Sequence, residues 1–223
     1  MGDEVITRRR LPHWYVPGAL HFVTYRLAGT IPATVLQELR EERERPAKAM
    51  DSHGDFFVRY DKYLDDHRDV AWLAKPEVAA MVRGNLYHHH GEKYHLLAYC
   101  IMPNHVHHLL QPQSGLVAKD LDLDPPDERA DVRSPLARIM HSLKSYTAHE
   151  ANKLIGRSGP FWVKESYDHW VREHEDPGRI IDYISLNPVT AGLAKEPHEW
   201  FWGSAHDCFL RDGTSDGLIS WPV

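Results

Sequence analysis

Two histidines one residue apart, His105 and His107, lie within an apolar run at 105–111. Side chains alternate across a strand, so an extended run places both imidazoles on one face, about 6 to 7 Å apart along the chain, with Val106 and His108 on the other. Imidazole is the commonest metal-binding side chain, and two on one face can share a divalent ion. In a chain with 17 histidines a His-x-His pair arises as readily in a half-exposed strand, so a metal site requires a third ligand. Tyr183 and Asn187 supply a candidate. Four residues apart in a helical stretch, they stack on one face, a carboxamide one turn from a phenol. The same spacing also suits a core tyrosine followed by a helix-end asparagine before Pro188.

A strand and a helix must hold these groups. Residues 94–101 and 105–111 are apolar runs joined by Met102-Pro103-Asn104, which predicts an antiparallel pair around a turn. Alternation over 21–28, ending at Gly29, predicts a first strand. A helix opening at Thr30 or Pro32 carries an exposed charged stretch at 37–45 and ends before Pro46, and 46–60 read as loop. Within 60–90, Pro76 at a first turn and Val78, Met81, Val82 and Leu86 at helical spacing predict a helix packed by one face. Ser134 and Pro135 predict the cap and first position of a helix reaching about Leu154. Residues 161–171 read as extended. Asp176-Pro177 opens a helix expected to stop at Asn187, ahead of Pro188. This order predicts an α+β fold, an antiparallel sheet with helices packed on it. One domain is expected over 1–223, with an insertion around 46–75 and a tail at 195–223.

Composition narrows the classes. No apolar run approaches the roughly 18 residues of a membrane span, and the start of the chain lacks a secretory signal pattern, so a cytoplasmic protein without a membrane partner is expected. Cys100 and Cys208, without Cys-x-x-Cys spacing, suggest neither a disulfide framework nor a thiolate zinc site. The net charge of −6 argues against a protein that coats nucleic acid. It hides an uneven distribution: Arg133, Arg138, Lys144, Lys153 and Arg157 face only Glu150 over 132–157, next to an acidic loop at 116–126. The basic segment is where DNA would bind. His88, His89 and His90 read as a solvated helix end, and Trp200, Trp202 and Trp221 as packing residues of the tail.

The run Met102-Pro103-Asn104-His105-Val106-His107 resembles the HUH strand of the Y1 tyrosine transposases of the IS200/IS605 type, with its preceding Pro-Asn turn. The segment from Ile180 through Tyr183 and Asn187 to Val189 resembles their nucleophile helix, most closely that of the REP-associated relatives. The likeness extends to His21-Phe22-Val23-Thr24, to Leu143-Lys144-Ser145-Tyr146-Thr147 and to Phe161-Trp162. It implies a ferredoxin-like HUH nuclease core, His105 and His107 as metal ligands, Asn187 as the third, and Tyr183 as the nucleophile. Where many of the family carry Gln as third ligand, this chain has Asn187, and the REP-associated group likewise has Asn.

These residue types suit the implied reaction. A free tyrosine titrates near pH 10, so phenolate at pH 7 costs about 4 kcal/mol unless the site helps. A divalent ion, Mg²⁺ or Mn²⁺ with zinc a possible occupant, polarises the scissile phosphate. Attack by the phenol oxygen releases a 3′-hydroxyl and leaves a 5′-phosphotyrosine, which a second 3′-hydroxyl can reverse. The expected partner is single-stranded or hairpin DNA, held by Arg138, Lys144, Tyr146, Lys153 and Arg157; the protein acts as monomer or homodimer. Rival readings are a catalytically silent hairpin-binding regulator, a small-molecule metallohydrolase, and a replication initiator or relaxase. Tyr146 is a rival nucleophile, with only Glu150 one turn on.

Overall fold

The computed structural model describes residues 5–8, 12–32, 34–38, 52–113 and 134–220. The acidic loop at 116–126 and most of the charged stretch at 37–45 lie outside them. Val5–Arg8 (β1) and Pro12–Tyr15 (β2) form a small antiparallel ribbon that the sequence reading does not foresee. His21–Arg26 (β3), Tyr94–Ile101 (β4), His105–Pro112 (β5) and Tyr167–Trp170 (β6) build a four-stranded sheet in the order β4-β5-β3-β6, antiparallel throughout. Among the described residues a helical stretch at 34–38 and these longer helices accompany it: Ser52–Asp66 (α1), Pro76–His88 (α2), Pro135–Leu154 (α3), Pro177–Thr190 (α4) and Ser204–Asp212 (α5). The α+β class expected from the element order holds.

Strands β3, β4 and β5 are buried on both sides, and β6 is half-buried. Val23, Tyr25, Val106 and Leu110 meet Val78, Val82 and Leu86 of α2 and Ile139, Met140 and Leu143 of α3. On the opposite face Phe22, Leu97, Cys100 and Leu109 meet Ile181 and Ile184 of α4. Burial of each such side chain contributes about 1.5–3 kcal/mol. A register shift between Leu96 and Ala98 resets the alternation of β4. It puts Leu97 and Ala98 in the α4 cluster and returns Tyr99 and Ile101 to the α2 side.

Local signals set the helix starts. Ser134 accepts from the Ala137 amide with Pro135 in the first turn, and Asp176 accepts from the Gly178 amide with Pro177 behind it. Two expectations need correction. The stretch 46–60 is not all loop, because α1 occupies it from Ser52 onward. Its inward face is Asp61, Leu64 and Asp65, a helical spacing masked by charge, and the Asn104 amide bonds the Leu64 carbonyl in its last turn and the His67 carbonyl just beyond it. Nor does Pro188 end α4 at Asn187. A proline in the last turn removes one amide donor, and the turn still closes through the Ala191 amide onto the Asn187 carbonyl, so the helix runs to Thr190 before Gly192 at φ 69°. Asn187 is thereby fixed inside the helix, one turn from Tyr183.

The tail folds back along the edge strand β4. The Ile101 amide donates to Trp202, the Ile219 amide to Leu97, and Ser204 Oγ bonds both backbone groups of Tyr99. Trp200 Nε1 donates to the Ile101 carbonyl, so the tail tryptophans Trp200 and Trp202 pack as expected, while Trp221 lies outside the described residues. The edge's open hydrogen-bonding groups are thus covered. Among the described residues no helix is long and apolar enough to cross a membrane.

Candidate metal centre

His105 and His107 leave β5 on the α4 face and are both fully buried, with Nε2 atoms 2.9 Å apart. The tautomer of His105 follows from its neighbour. Asn104 uses its amide nitrogen on the Leu64 and His67 carbonyls, so its Oδ1, 2.6 Å from His105 Nδ1, is an acceptor. His105 therefore carries its proton on Nδ1 and turns the Nε2 lone pair toward His107. Burial, reinforced by His107, takes the His105 pKa down to about 3 and keeps the ring neutral. His107 is oriented from β3, its Nδ1 lying 2.7 Å from Thr24 Oγ1. Its ring stacks on Phe22 at 5.8 Å. Outer partners of this kind fix ring orientation in metal sites.

Asp61 completes the cluster. Its Oδ1 lies 3.2 Å from His107 Nε2 and 3.5 Å from His105 Nε2. Asp61, His105 and His107 form a buried group whose ligand atoms lie within 4.8 Å of one another. Its other oxygen accepts from the Tyr183 hydroxyl and, at 3.0 Å, from Asn187 Nδ2. One carboxylate therefore joins imidazoles to phenol. Burial pushes the Asp61 carboxyl up, but the neighbouring imidazoles, His107 foremost, and the hydrogen bond from Tyr183 outweigh it and hold the group below the carboxylate range. The Tyr183 phenol goes the other way: burial and the Asp61 charge hold its pKa far above 10.

The donor set fits a divalent cation. Asp61 Oδ1 and Asn187 Oδ1 are buried oxygens with no hydrogen-bond partner, next to an imidazole nitrogen that faces a second one without room for two protons. An unsatisfied buried oxygen is costly, and a cation satisfies all of these groups at once. Two nitrogens with two oxygens suit Mn²⁺, Mg²⁺ or Zn²⁺.

The structure brings together four of the residues singled out in the sequence, His105, His107, Tyr183 and Asn187, and adds Asp61. Sequence reasoning missed Asp61 because it lies in the insertion around 46–75, with only the Asp61/Asp65 helical spacing to mark it. The five candidate DNA-binding residues are not brought to this centre. Arg138, Lys144, Tyr146 and Lys153 belong to α3 and Arg157 to the loop behind it, and α3 packs on the opposite face of the sheet. Lys144 Nζ donates to the Lys164 carbonyl and to Ser166 Oγ. Lys153 pairs with Glu150 at 3.0 Å, and Arg157 bonds Asn152 Oδ1 and the Pro160 carbonyl. Tyr146 is 53% exposed and is remote in the fold from the two imidazoles, which disfavours it as a rival nucleophile.

No protein-family model matches the chain, and no curated protein matches it. A solved structure of a REP-associated tyrosine transposase bound to a REP hairpin is similar to it over 100% of this chain and 92% of that one, at 16% identity and a TM-score of 0.49.

Proposed function

We propose that this chain is a metal-dependent endonuclease and strand transferase for single-stranded or hairpin-bearing DNA, a Y1 HUH transposase near the REP-associated group, working in the cytoplasm as a monomer or homodimer. The observation that carries this reading is the meeting, at the Asp61 carboxylate, of the Tyr183 phenol, the Asn187 amide and both imidazoles. A hydrolase that activates water has no use for a phenol held there.

His105, His107 and Asp61 would hold the ion, with Asn187 Oδ1 as a further donor. When bound, the ion supplies Lewis-acid polarisation of the scissile phosphate and offsets charge on its oxygens. The chain's own residues do the rest. Helix α4 presents the phenol oxygen to Asp61, so the nucleophile is aligned before DNA arrives. Phenolate is not the resting form, because burial and Asp61 disfavour it. As the Tyr183 oxygen bonds phosphorus, its proton passes to the acceptor already in reach, Asp61 Oδ2. The phosphorus–oxygen bond to the 3′ side breaks, and that oxygen takes a proton from solvent and leaves as a hydroxyl. Attack by another 3′-hydroxyl on the phosphotyrosine, its proton going to solvent, reverses the sequence, and Asp61 returns the first proton to Tyr183.

Arg138, Lys144, Tyr146, Lys153 and Arg157 would track the DNA backbone along α3. A hairpin there, with its single strand at Tyr183, rounds the β6 edge of the sheet, where Lys144 already reaches Ser166 just before β6. The test is incubation with a labelled single-stranded hairpin from the gene's own flanks plus Mn²⁺. A band of covalent adduct on a denaturing gel is expected, absent with chelator. Tight hairpin binding with no adduct under any metal would favour the silent regulator instead.

A further inference from the structure

Arg26 ends β3 and is only 4% exposed. It sits opposite His105 in register and two residues beyond Thr24, so it leaves the sheet on the face of the metal centre. Its guanidinium is held in place by neutral groups. Nε donates to the Tyr60 hydroxyl at 2.8 Å, and Nη1 donates to Thr30 Oγ1 at 2.8 Å. Tyr60 immediately precedes Asp61 on α1, and Thr30 passes its own proton on to the Leu27 carbonyl. Among the described residues no carboxylate pairs with Arg26, whereas the less buried Arg83 is paired with Asp207.

A guanidinium cannot shed its proton, and a buried charge without a counter-charge is strongly disfavoured unless an anion completes it. Two hydroxyls orient the group but do not neutralise it. Nη2, which neither hydroxyl uses, keeps N–H donors that can meet a phosphate oxygen.

We infer that Arg26 is an anion site beside the metal centre, one that takes a non-bridging phosphate oxygen of the DNA strand. The identity of that phosphate rests on the nuclease reading above; the anion site itself does not. Arg26 then neutralises the strand from the β3 side while Tyr183 approaches from α4, and its Nη2 donors help to fix how the phosphodiester lies across the centre.

The experiment separates the two claims. Inorganic phosphate is titrated against the full chain in chelator at constant ionic strength, with binding read by calorimetry and by the rise in melting temperature. Wild type and the surface control Lys75→Gln are expected to bind phosphate alike, and Arg26→Gln at least tenfold more weakly. If Arg26→Gln does not fold, Tyr60→Phe releases Nε and is expected to weaken phosphate several-fold. No phosphate binding by the wild type, or equal binding by the folded variants, overturns the inference. Adduct formation with the labelled hairpin and Mn²⁺ is measured alongside. Phosphate binding lost in Arg26→Gln while the wild type forms no adduct sustains the anion site and removes the nuclease reading. Adduct formed by a variant that binds phosphate as the wild type does removes Arg26 alone.

Discussion

The two faces of β5 treat the same residue type in opposite ways. His105 and His107 have polar partners at both ring nitrogens, drawn from the preceding turn, from β3 and from α1. His108, one residue on, is fully buried on the other face with neither nitrogen hydrogen-bonded and the Tyr25 ring 5.7 Å away. Burial takes its pKa down to about 3, as it does for His105. Equal burial thus yields imidazoles with polar partners on one face and a packed, unsatisfied ring on the other. What separates them is what the remaining elements bring: α1 and α4 carry Asp61, Tyr183 and Asn187 to one face, and α2 and α3 carry aliphatic side chains to the other.

The largest expected effect is that of Tyr183→Phe, which removes only the phenol oxygen. Covalent adduct should disappear on a denaturing gel while hairpin affinity stays within a few-fold. A Phe variant that still nicks, with Tyr146→Phe inactive, would move the chemistry to the α3 face and break the comparison.

Next comes metal affinity. His105→Ala, His107→Ala and Asp61→Ala should each abolish Mn²⁺ binding measured by calorimetry, and His108→Leu should leave it within about twofold. Asn104→Ala, which frees the His105 ring and the end of α1, should cost about 10- to 100-fold. Equal losses from His107→Ala and His108→Leu would mean that the two faces do not differ in this way.

Acid should reveal the buried rings together. His21, His105 and His108 have folded pKa values of about 4, 3 and 3, all below 6.5. Because these values are depressed, the unfolded chain binds more protons between about pH 6.5 and 4, so stability falls as pH drops through that window. Each ring contributes about 1.4 kcal/mol per pH unit. Urea unfolding in chelator from pH 7 to 4.5 measures the slope, which His108→Leu should reduce by about one histidine's share. An unchanged slope would show that His108 is not buried neutral.

The smallest effect concerns the α3 face. Arg138→Ala with Lys144→Ala should weaken hairpin binding and lower the slope of log affinity against log salt by roughly one per lost phosphate contact. An unchanged slope would place the DNA path elsewhere.

What the sequence determined by itself is local. The Met102-Pro103-Asn104 turn between two apolar runs yields β4 and β5, Ser134-Pro135 and Asp176-Pro177 start α3 and α4, and alternation sets His105 and His107 on one side and His108 on the other. Caps, proline geometry and strand alternation act over a few residues, so they can be read without knowing the fold. The pairing of Tyr183 with Asn187 is legible for the same reason. Tertiary structure decided the rest. Helix α1 has a charged sequence whose inward face becomes meaningful only when Asn104 holds its end and Asp61 meets two imidazoles from a strand more than forty residues on. Pro188 stays helical because the turn around it closes through other amides. The basic helix lies opposite the candidate metal centre because its aliphatic stripe fits the α2 side of the sheet. Charge runs announce themselves in sequence; which face of a sheet they land on is fixed by where the apolar surface is buried.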